Sequence, residues 1–145
     1  MLVHATCVAL RRGGVWRAVL LRGPSGAGKS DLTLRLIDAG ARLVADDQTR
    51  LARRGRMLIA TPPIALAGRI EVRGLGIVKL ARTQLIGSAP LALLVDLVPS
   101  AEIERLPEPA FEILQEIKVP LMALAPFEAS AVAKLHLALA RIAAG

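Results

Sequence analysis

The sequence predicts an α/β domain, and three observations support this fold class. A glycine-bearing loop at residues 23–28 follows an apolar strand, an amphipathic helix follows the loop, and another buried strand follows the helix. The chain has 145 residues, of which 54% are hydrophobic and 21% charged, so it can bury one core and is not extensively disordered. We therefore expect a single domain over residues 1–145.

The residues before the loop predict a β-hairpin. Residues 2–10 and 16–21 are apolar and rich in side chains that favour strands. Between them, the sequence Arg11-Arg12-Gly13-Gly14 is typical of a turn. The second of these strands leads directly into the glycine-bearing loop.

The residues behind the loop predict a helix and then a buried strand. Residues 29–39 have helical spacing, and Gly40 is suited to end the helix. The apolar residues that this spacing places on one face are Leu32, Leu36 and Ala39. Residues 42–45 predict a strand that leads into two adjacent acids, Asp46 and Asp47.

The rest of the chain predicts further strands and two helices. Residues 49–51 and 57–60 predict a hairpin around Arg54-Gly55, which also carries Arg50, Arg53 and Arg56. The other expected elements are a loop at 73–76 flanked by apolar residues, a strand at 91–95, an acidic loop with a helical turn at 99–109, a short helix at 111–117 and a helix at 130–143.

Charge and composition narrow the classes of function. Residues 1–73 contain 13 lysines and arginines and 5 acids, whereas residues 74–145 contain 6 and 7, so the net charge of +7 lies in the first half. That half suits an anionic partner, but the chain has one Trp, two Phe and no Tyr, which disfavours nucleic acid. No apolar run is long enough to span a membrane, no signal peptide is evident, and the single cysteine fits a reducing cytoplasm.

One motif points to a nucleotide. It fits the G-x-x-x-x-G-K-[ST] pattern without a gap and consists of Gly23, Pro24, Ser25, Gly26, Ala27, Gly28, Lys29 and Ser30. Its glycines let backbone N–H groups turn toward an anion, and the following helix directs its positive end to the same place. Lys29 can reach the phosphates and Ser30 can bind Mg²⁺, so we expect a nucleoside triphosphate such as ATP here.

Two strand ends compete to supply the acids of a phosphoryl-transfer site. Asp96 ends an apolar strand, as the metal-binding acid of many phosphate-loop proteins does. Asp46 and Asp47 offer two carboxylates, of which one can hold a metal ion while the other accepts a proton. We favour the pair. The alternative for either strand end is a solvated turn with no role in chemistry.

Together the motifs resemble those of a known family. The phosphate loop, the Leu43-Val44-Ala45-Asp46-Asp47 block and the Ile70-Glu71-Val72-Arg73-Gly74-Leu75-Gly76-Ile77 block occur in the order and spacing of HPr kinase/phosphorylase. The resemblance implies a phosphate-loop domain similar to phosphoenolpyruvate carboxykinase, with a mixed sheet and flanking helices. It also implies phosphorylation of a serine on the phosphocarrier HPr, and an assembly into homo-oligomers, which are hexamers in the family.

The resemblance also implies roles for individual residues. Lys29 contacts the transferred phosphate, Ser30 and Glu71 hold Mg²⁺, and either Asp46 or Asp47 takes the serine proton, with Asp47 preferred. The remaining catalytic positions that it implies are His4, Arg73 and Arg105. Two other polar residues are expected to be structural, namely Cys7 in the core and His136 in the last helix.

Departures from the family pattern leave part of the function open. The chain resembles the short form that has only the catalytic domain, so we expect no regulation through an extra N-terminal domain. The family's Pro-Gly-Arg-Asn type segment corresponds to residues 121–128, which lack the arginine and asparagine, so we expect a weak reverse (phosphorylase) reaction. A small-molecule kinase and a nucleotide-binding module without catalysis are the alternatives.

Overall fold

One curled β-sheet organises the computed structural model, which describes residues 1–144. Its strands are β1 (Leu2–Val3), β2 (Thr6–Arg12), β3 (Val15–Arg22), β4 (Arg42–Ala45), β5 (Thr49–Arg54), β6 (Met57–Thr61), β9 (Ala89–Leu97), β10 (Ala110–Leu114) and β11 (Ile117–Leu124). Two further strands, β7 (Arg69–Val72) and β8 (Gly76–Lys79), form a separate hairpin, and the helices are α1 (Lys29–Asp38) and α2 (Ala131–Ala144). The predicted α/β class is confirmed.

The sheet mixes parallel and antiparallel pairs around its central strand, β9. The strand order is β1-β5-β6-β9-β3-β2-β4, and β9 runs parallel to β3 but antiparallel to β6. The end of β9 also pairs in parallel with β11, which forms a hairpin with β10. The C-terminal ends of β3 and β4 therefore lie beside the N-terminal end of β2. The candidate site lies at these strand ends.

Each face of the sheet covers its own apolar core. Alternate residues of β3 show this pattern, because Val19 and Leu21 pack with the two helices while Ala18 and Leu20 face the other core. Both helices lie on one face, through Leu32 and Leu36 of α1 and Leu135 and Leu139 of α2. The other face is covered by the β5–β6 and β10–β11 hairpins, with Leu51, Leu58, Leu114 and Val119 buried there.

Most of the predicted elements are confirmed, but the short helix at residues 111–117 is wrong. These residues form β10, a two-residue turn and the start of β11. Gln115 and Glu116 occupy the turn with φ angles of 47° and 67°, a left-handed conformation that glycine or asparagine usually marks. The hairpin therefore lacks its usual sequence signal.

Two smaller predictions are also corrected. Ala39 is exposed, so the buried face of α1 consists of Leu32, Thr33, Leu36 and Ile37. Arg11 and Arg12 belong to β2, and only Gly13 and Gly14 form the turn.

Cys7 is buried in the core as expected, where desolvation raises the pKa of its thiol. None of the helices within residues 1–144 is long and apolar enough to cross a membrane.

Candidate active site

A cavity of about 830 Å³ lies at the C-terminal ends of β3 and β4. It is lined by His4, Thr6, Gly23, Ser25, Gly26, Gly28, Lys29, Ser30, Asp31, Asp46, Asp47, Glu71, Arg73 and Phe127. The cavity thus brings together most of the site residues that the sequence predicts, although they come from four separate segments of the chain. His4 reaches it because the chain bends between β1 and β2.

The predicted phosphate loop connects β3 to α1 and has the backbone shape of an anion site. Gly26 and Gly28 have φ angles of 84° and 102°, which side chains other than glycine rarely adopt. A Cβ atom on Gly28 would also lie 2.9 Å from the Phe127 ring and from the Pro126 side chain. Gly28 caps α1, so the free N–H groups of the first helical turn lie at the cavity.

Lys29 and Ser30 begin the helix and line the cavity. The Lys29 ammonium donates a hydrogen bond to the Gly23 carbonyl oxygen at the start of the same loop. Asp31 is the next residue and forms an ion pair of 2.9 Å with Arg35, one turn along the helix. The loop therefore offers backbone donors, a cation and a hydroxyl group within a few residues, as phosphate binding requires.

Asp46 is held in place by hydrogen bonds from two other parts of the chain. The Thr6 hydroxyl donates to its Oδ1 atom at 3.2 Å, and the Glu71 backbone N–H donates to its Oδ2 atom at 3.0 Å. Burial raises the pKa of this carboxyl group; the two hydrogen bonds oppose that effect, and the nearby charges of Asp47 and Glu71 add to it. Asp46 thus anchors β4 to the β7–β8 hairpin.

Asp47 has a different environment from its neighbour. Its backbone N–H donates to the Thr6 hydroxyl oxygen at 3.1 Å, and its φ angle of 63° lies in the left-handed region. Its side chain is exposed to the cavity, and no hydrogen bond to its carboxylate forms among residues 1–144. An acid with an unshared carboxylate, on a backbone fixed by a buried threonine, is suited to accept a proton.

Glu71 and Arg73 reach the cavity from the β7–β8 hairpin. Alternation along β7 buries Ile70 and Val72 and leaves Glu71 exposed, and Arg73 follows in the turn. Gly74 and Gly76 both have positive φ angles, near 91° and 94°, which shape that turn. The predicted Glu-x-Arg-Gly-x-Gly sequence is therefore the sequence of a tight hairpin placed over the acidic pair.

Three of the predicted site residues do not line the cavity. Arg105 lies in an exposed stretch between β9 and β10, and nothing in the described chain connects it to the cavity. Pro24 and Ala27 belong to the loop without lining it, although the Ala27 N–H donates to the Pro24 carbonyl at 3.0 Å. The competing acid, Asp96, lies outside the cavity and accepts hydrogen bonds from Arg22.

Besides Asp31, which directly follows the phosphate loop, two lining residues have no role in the sequence-based prediction. Thr6 is one of several small residues in an apolar strand, and its bridging position depends on the pairing of β2 with β4. Phe127 comes from the segment before α2, which the resemblance marks only for what it lacks. Neither had a local sequence signal, because both reach the site through long-range packing.

The oxygen donors at the cavity fit a magnesium ion that takes its other ligands from the phosphates of a nucleotide. Ser30 and Glu71 both line the cavity, one on the helix start and the other on β7. Within residues 1–144 no group of three or more His, Cys, Asp or Glu residues is arranged to bind a metal on its own. Mg²⁺ in phosphoryl-transfer enzymes usually has one or two protein ligands and takes the rest from phosphates and water, so this donor set is adequate.

Comparisons with known proteins agree with this geometry. The family model described as HPr Serine kinase C-terminal domain matches residues 1–137. Curated proteins named HPr kinase/phosphorylase are 47% identical over 60 residues in Clostridium tetani and 42% identical over 97 residues in Burkholderia cenocepacia. These matches cover 41% and 61% of the present chain, but 20% and 30% of the relatives.

A solved structure shares the fold over nearly the whole chain. It is the structure of the Hpr(Ser) kinase/phosphatase from Coxiella burnetii, which superposes with a TM-score of 0.80 at 26% sequence identity. The superposition covers 97% of the present chain and 88% of the other. The curled mixed sheet with both helices on one face is thus an arrangement that this kinase structure shares.

Proposed function

The chain belongs to the family of HPr serine kinase C-terminal domains, and on that premise we propose that it transfers the γ-phosphoryl group of ATP to a serine of an HPr-type phosphocarrier protein. One observation supports this function above the others. The phosphate loop and an acid with an unshared carboxylate, Asp47, line the same cavity. A phosphoryl-transfer site needs these two parts opposite each other, one for the donor and one for the attacking hydroxyl.

The proposed roles follow from where each group lies. The loop N–H groups and Lys29 bind the β- and γ-phosphates and neutralise their charge. Ser30 and Glu71 would hold Mg²⁺, which adds charge neutralisation when it is bound with the nucleotide. Arg73, which lines the same cavity as the acidic pair, supplies a further cation toward the transferred group, and His4 also lines this cavity.

Asp47 is the proposed proton acceptor. As the serine oxygen attacks the γ-phosphorus, its proton passes to the Asp47 carboxylate, a new P–O bond forms and the bond to the leaving ADP oxygen breaks. Asp46 is proposed as a positioning residue, because both of its carboxylate oxygens accept hydrogen bonds from the protein. The hydrogen bonds on Asp46 support the preference for Asp47 that the resemblance already implies.

We propose that the reverse reaction is weak in this protein. The segment before α2 contributes Phe127 to the cavity and no arginine or asparagine, so inorganic phosphate gains no bidentate cation there. Incubating phosphoserine-HPr with phosphate and measuring the released pyrophosphate tests this. Pyrophosphate release as fast as the phosphorylation of HPr would contradict the proposal.

The proposal also names binding partners and a cellular location, the cytoplasm. The exposed arginines of the β5–β6 hairpin, Arg50, Arg54 and Arg56, form a cationic surface suited to the acceptor protein or to a neighbouring copy in a homo-oligomer. The single cysteine, Cys7, is buried and unpaired, which fits the cytoplasm. Light scattering of the purified protein measures the oligomeric state directly.

Intact-mass spectrometry tests the main function. An HPr-type carrier incubated with this protein, ATP and Mg²⁺ should gain the mass of one phosphate, and fragmentation should locate it on a serine. A carrier whose candidate serine is replaced by alanine is the matched control. An unchanged carrier with ATP still bound would favour a small-molecule kinase or a non-catalytic module. Phosphate transfer to an added small-molecule acceptor would then favour the first, and its absence the second.

A further inference from the structure

Phe127 is an exposed aromatic residue in an otherwise polar cavity. Of the cavity-lining residues in the described part of the chain, it alone carries an apolar aromatic ring, since His4 has a polar imidazole, and 69% of Phe127 is exposed. The exposed part of the ring adds little to folding, but unlike the other exposed apolar side chains on the surface, it lies against a phosphate loop. The proposed roles of the other lining residues concern phosphates, metal and proton transfer, and none of them uses this ring.

The segment that carries Phe127 is braced from three sides. The Pro126 carbonyl oxygen accepts a hydrogen bond from Arg35 of α1. The Glu128 carboxylate accepts hydrogen bonds from Ser100 at 3.2 Å and Lys134 at 3.3 Å, and its backbone carbonyl accepts the Ala131 N–H that begins α2. The ring itself packs against Gly28 at the end of the phosphate loop. It is therefore exposed on a fixed segment.

The two other large aromatic side chains have different neighbours. Trp16 lies under the guanidinium group of Arg42, 4.8 Å from its ring centre, and Phe111 lies 3.8 Å from the ammonium group of Lys118. Among residues 1–144, no cation lies over the Phe127 ring. Phe127 thus keeps a face for a flat group that arrives from solvent.

We propose that Phe127 determines donor specificity by stacking on the nucleobase of the nucleotide whose phosphates bind at the loop. This inference rests on the proposed function, because it concerns the same donor site. The loop and Lys29 would bind any polyphosphate, whereas an aromatic face adds affinity only when a base is present. Because every base has a π-face, stacking favours nucleotides over bare polyphosphate without selecting one base.

The experiment compares three ligands and three variants by calorimetry. The ligands are ATP, GTP and inorganic tripolyphosphate, which has the phosphates without the nucleoside. Phe127→Leu keeps apolar contact with Gly28 but has no aromatic face, and Phe127→Tyr keeps that face. Phe111→Ala is the matched control, since Phe111 is half exposed on β10 and does not line the cavity.

The proposal predicts a loss that depends on the base. Phe127→Leu should weaken ATP binding about tenfold and leave tripolyphosphate binding within about twofold, while Phe127→Tyr and Phe111→Ala resemble the wild type. GTP should lose affinity by the same factor as ATP.

Several outcomes would overturn it. If Phe127→Leu binds ATP as the wild type does, the stacking role is wrong and the proposed kinase function is untouched. An equal loss for ATP and tripolyphosphate would mean that Phe127 only shapes the loop. A wild-type protein that binds tripolyphosphate but no ATP would contradict both the stacking role and the proposed function.

Discussion

The ends of β4 and β9 both carry acids after apolar strands, and they differ in what surrounds those acids. Asp96 in β9 accepts hydrogen bonds from Arg22 at 2.9 and 3.3 Å, and the same guanidinium group donates to Glu112 at 2.8 and 2.9 Å. At the end of β4, among residues 1–144, Asp46 receives hydrogen bonds only from neutral donors and the Asp47 carboxylate receives none.

This difference separates a structural acid from a reactive one. Both carboxylate oxygens of Asp96 already accept hydrogen bonds from the Arg22 guanidinium group, which makes Asp96 part of a structural network. Within residues 1–144 the two acids after β4 have no cationic partner, and the Asp47 oxygens remain available to whatever enters the cavity beside the phosphate loop. Long-range pairing decides which case applies, since Arg22 lies 74 residues from Asp96 in sequence.

The largest predicted effect concerns Asp47. Asp47→Asn should lower the rate of phosphoryl transfer to HPr about 1,000-fold, because the proton acceptor is lost while asparagine tolerates the left-handed backbone. ATP affinity should stay within about threefold, as measured by calorimetry, since the loop is unchanged. Asp96→Asn is the matched control and should retain the rate within about threefold; equal losses in the two variants would refute the distinction between the strand ends.

The second effect concerns Thr6, which connects the two acids of β4. Thr6→Val removes the hydroxyl that donates to Asp46 and accepts from the Asp47 N–H, so the turnover rate should fall about tenfold and stability by about 1–2 kcal/mol. Steady-state kinetics and urea unfolding measure the two losses. Thr6→Ser keeps the hydroxyl and should restore most of the rate; if it is as slow as Thr6→Val, the bridge is not the cause.

The third effect concerns the ion-pair network that Arg22 forms with Asp96 of β9 and Glu112. Arg22→Met leaves Asp96 and Glu112 without their cation and should cost about 1 kcal/mol of stability, a modest loss because the network is partly exposed and screened by solvent. Phosphoryl transfer should change by less than about fivefold. A stable variant with a much larger loss of activity would place this network in the catalytic machinery.

The smallest effect is a pair of opposite pH dependences. Arg22 lowers the pKa of Glu112, so Glu112 stabilises the fold above its ordinary pKa of 4.5, and this contribution is lost as the pH falls through the lowered folded value. Burial raises the pKa of Asp46, so wild-type stability relative to Asp46→Asn should decrease as the pH rises above the ordinary value of 3.8.

Urea unfolding of wild type, Glu112→Gln and Asp46→Asn between about pH 3.5 and 7 measures both dependences. The stability advantage of wild type over Glu112→Gln should grow with pH, and its advantage over Asp46→Asn should shrink. Dependences of the same sign would mean that Glu112 and Asp46 have electrostatically similar surroundings, which their hydrogen-bond partners contradict.

Sequence reasoning succeeded where the relevant residues are contiguous. The phosphate loop, the acidic pair and the Glu71 and Arg73 hairpin are local motifs, and the structure brings all three to one cavity. The roles of these residues remain predictions. Sequence-based prediction failed where a feature depends on packing between distant segments or on unusual backbone angles. Examples are Thr6, Phe127 and the turn of Gln115 and Glu116.

The most direct test of the account is to locate the metal ion in crystals with a non-hydrolysable ATP analogue and Mn²⁺, which scatters anomalously. The account predicts one anomalous peak at the cavity, about 2.2 Å from the Ser30 hydroxyl oxygen and beside Glu71, with the γ-phosphate facing Asp47. A peak bound to Asp96 would contradict the central claim, because it would place the acid of β9 in the active site and not in a structural network with Arg22.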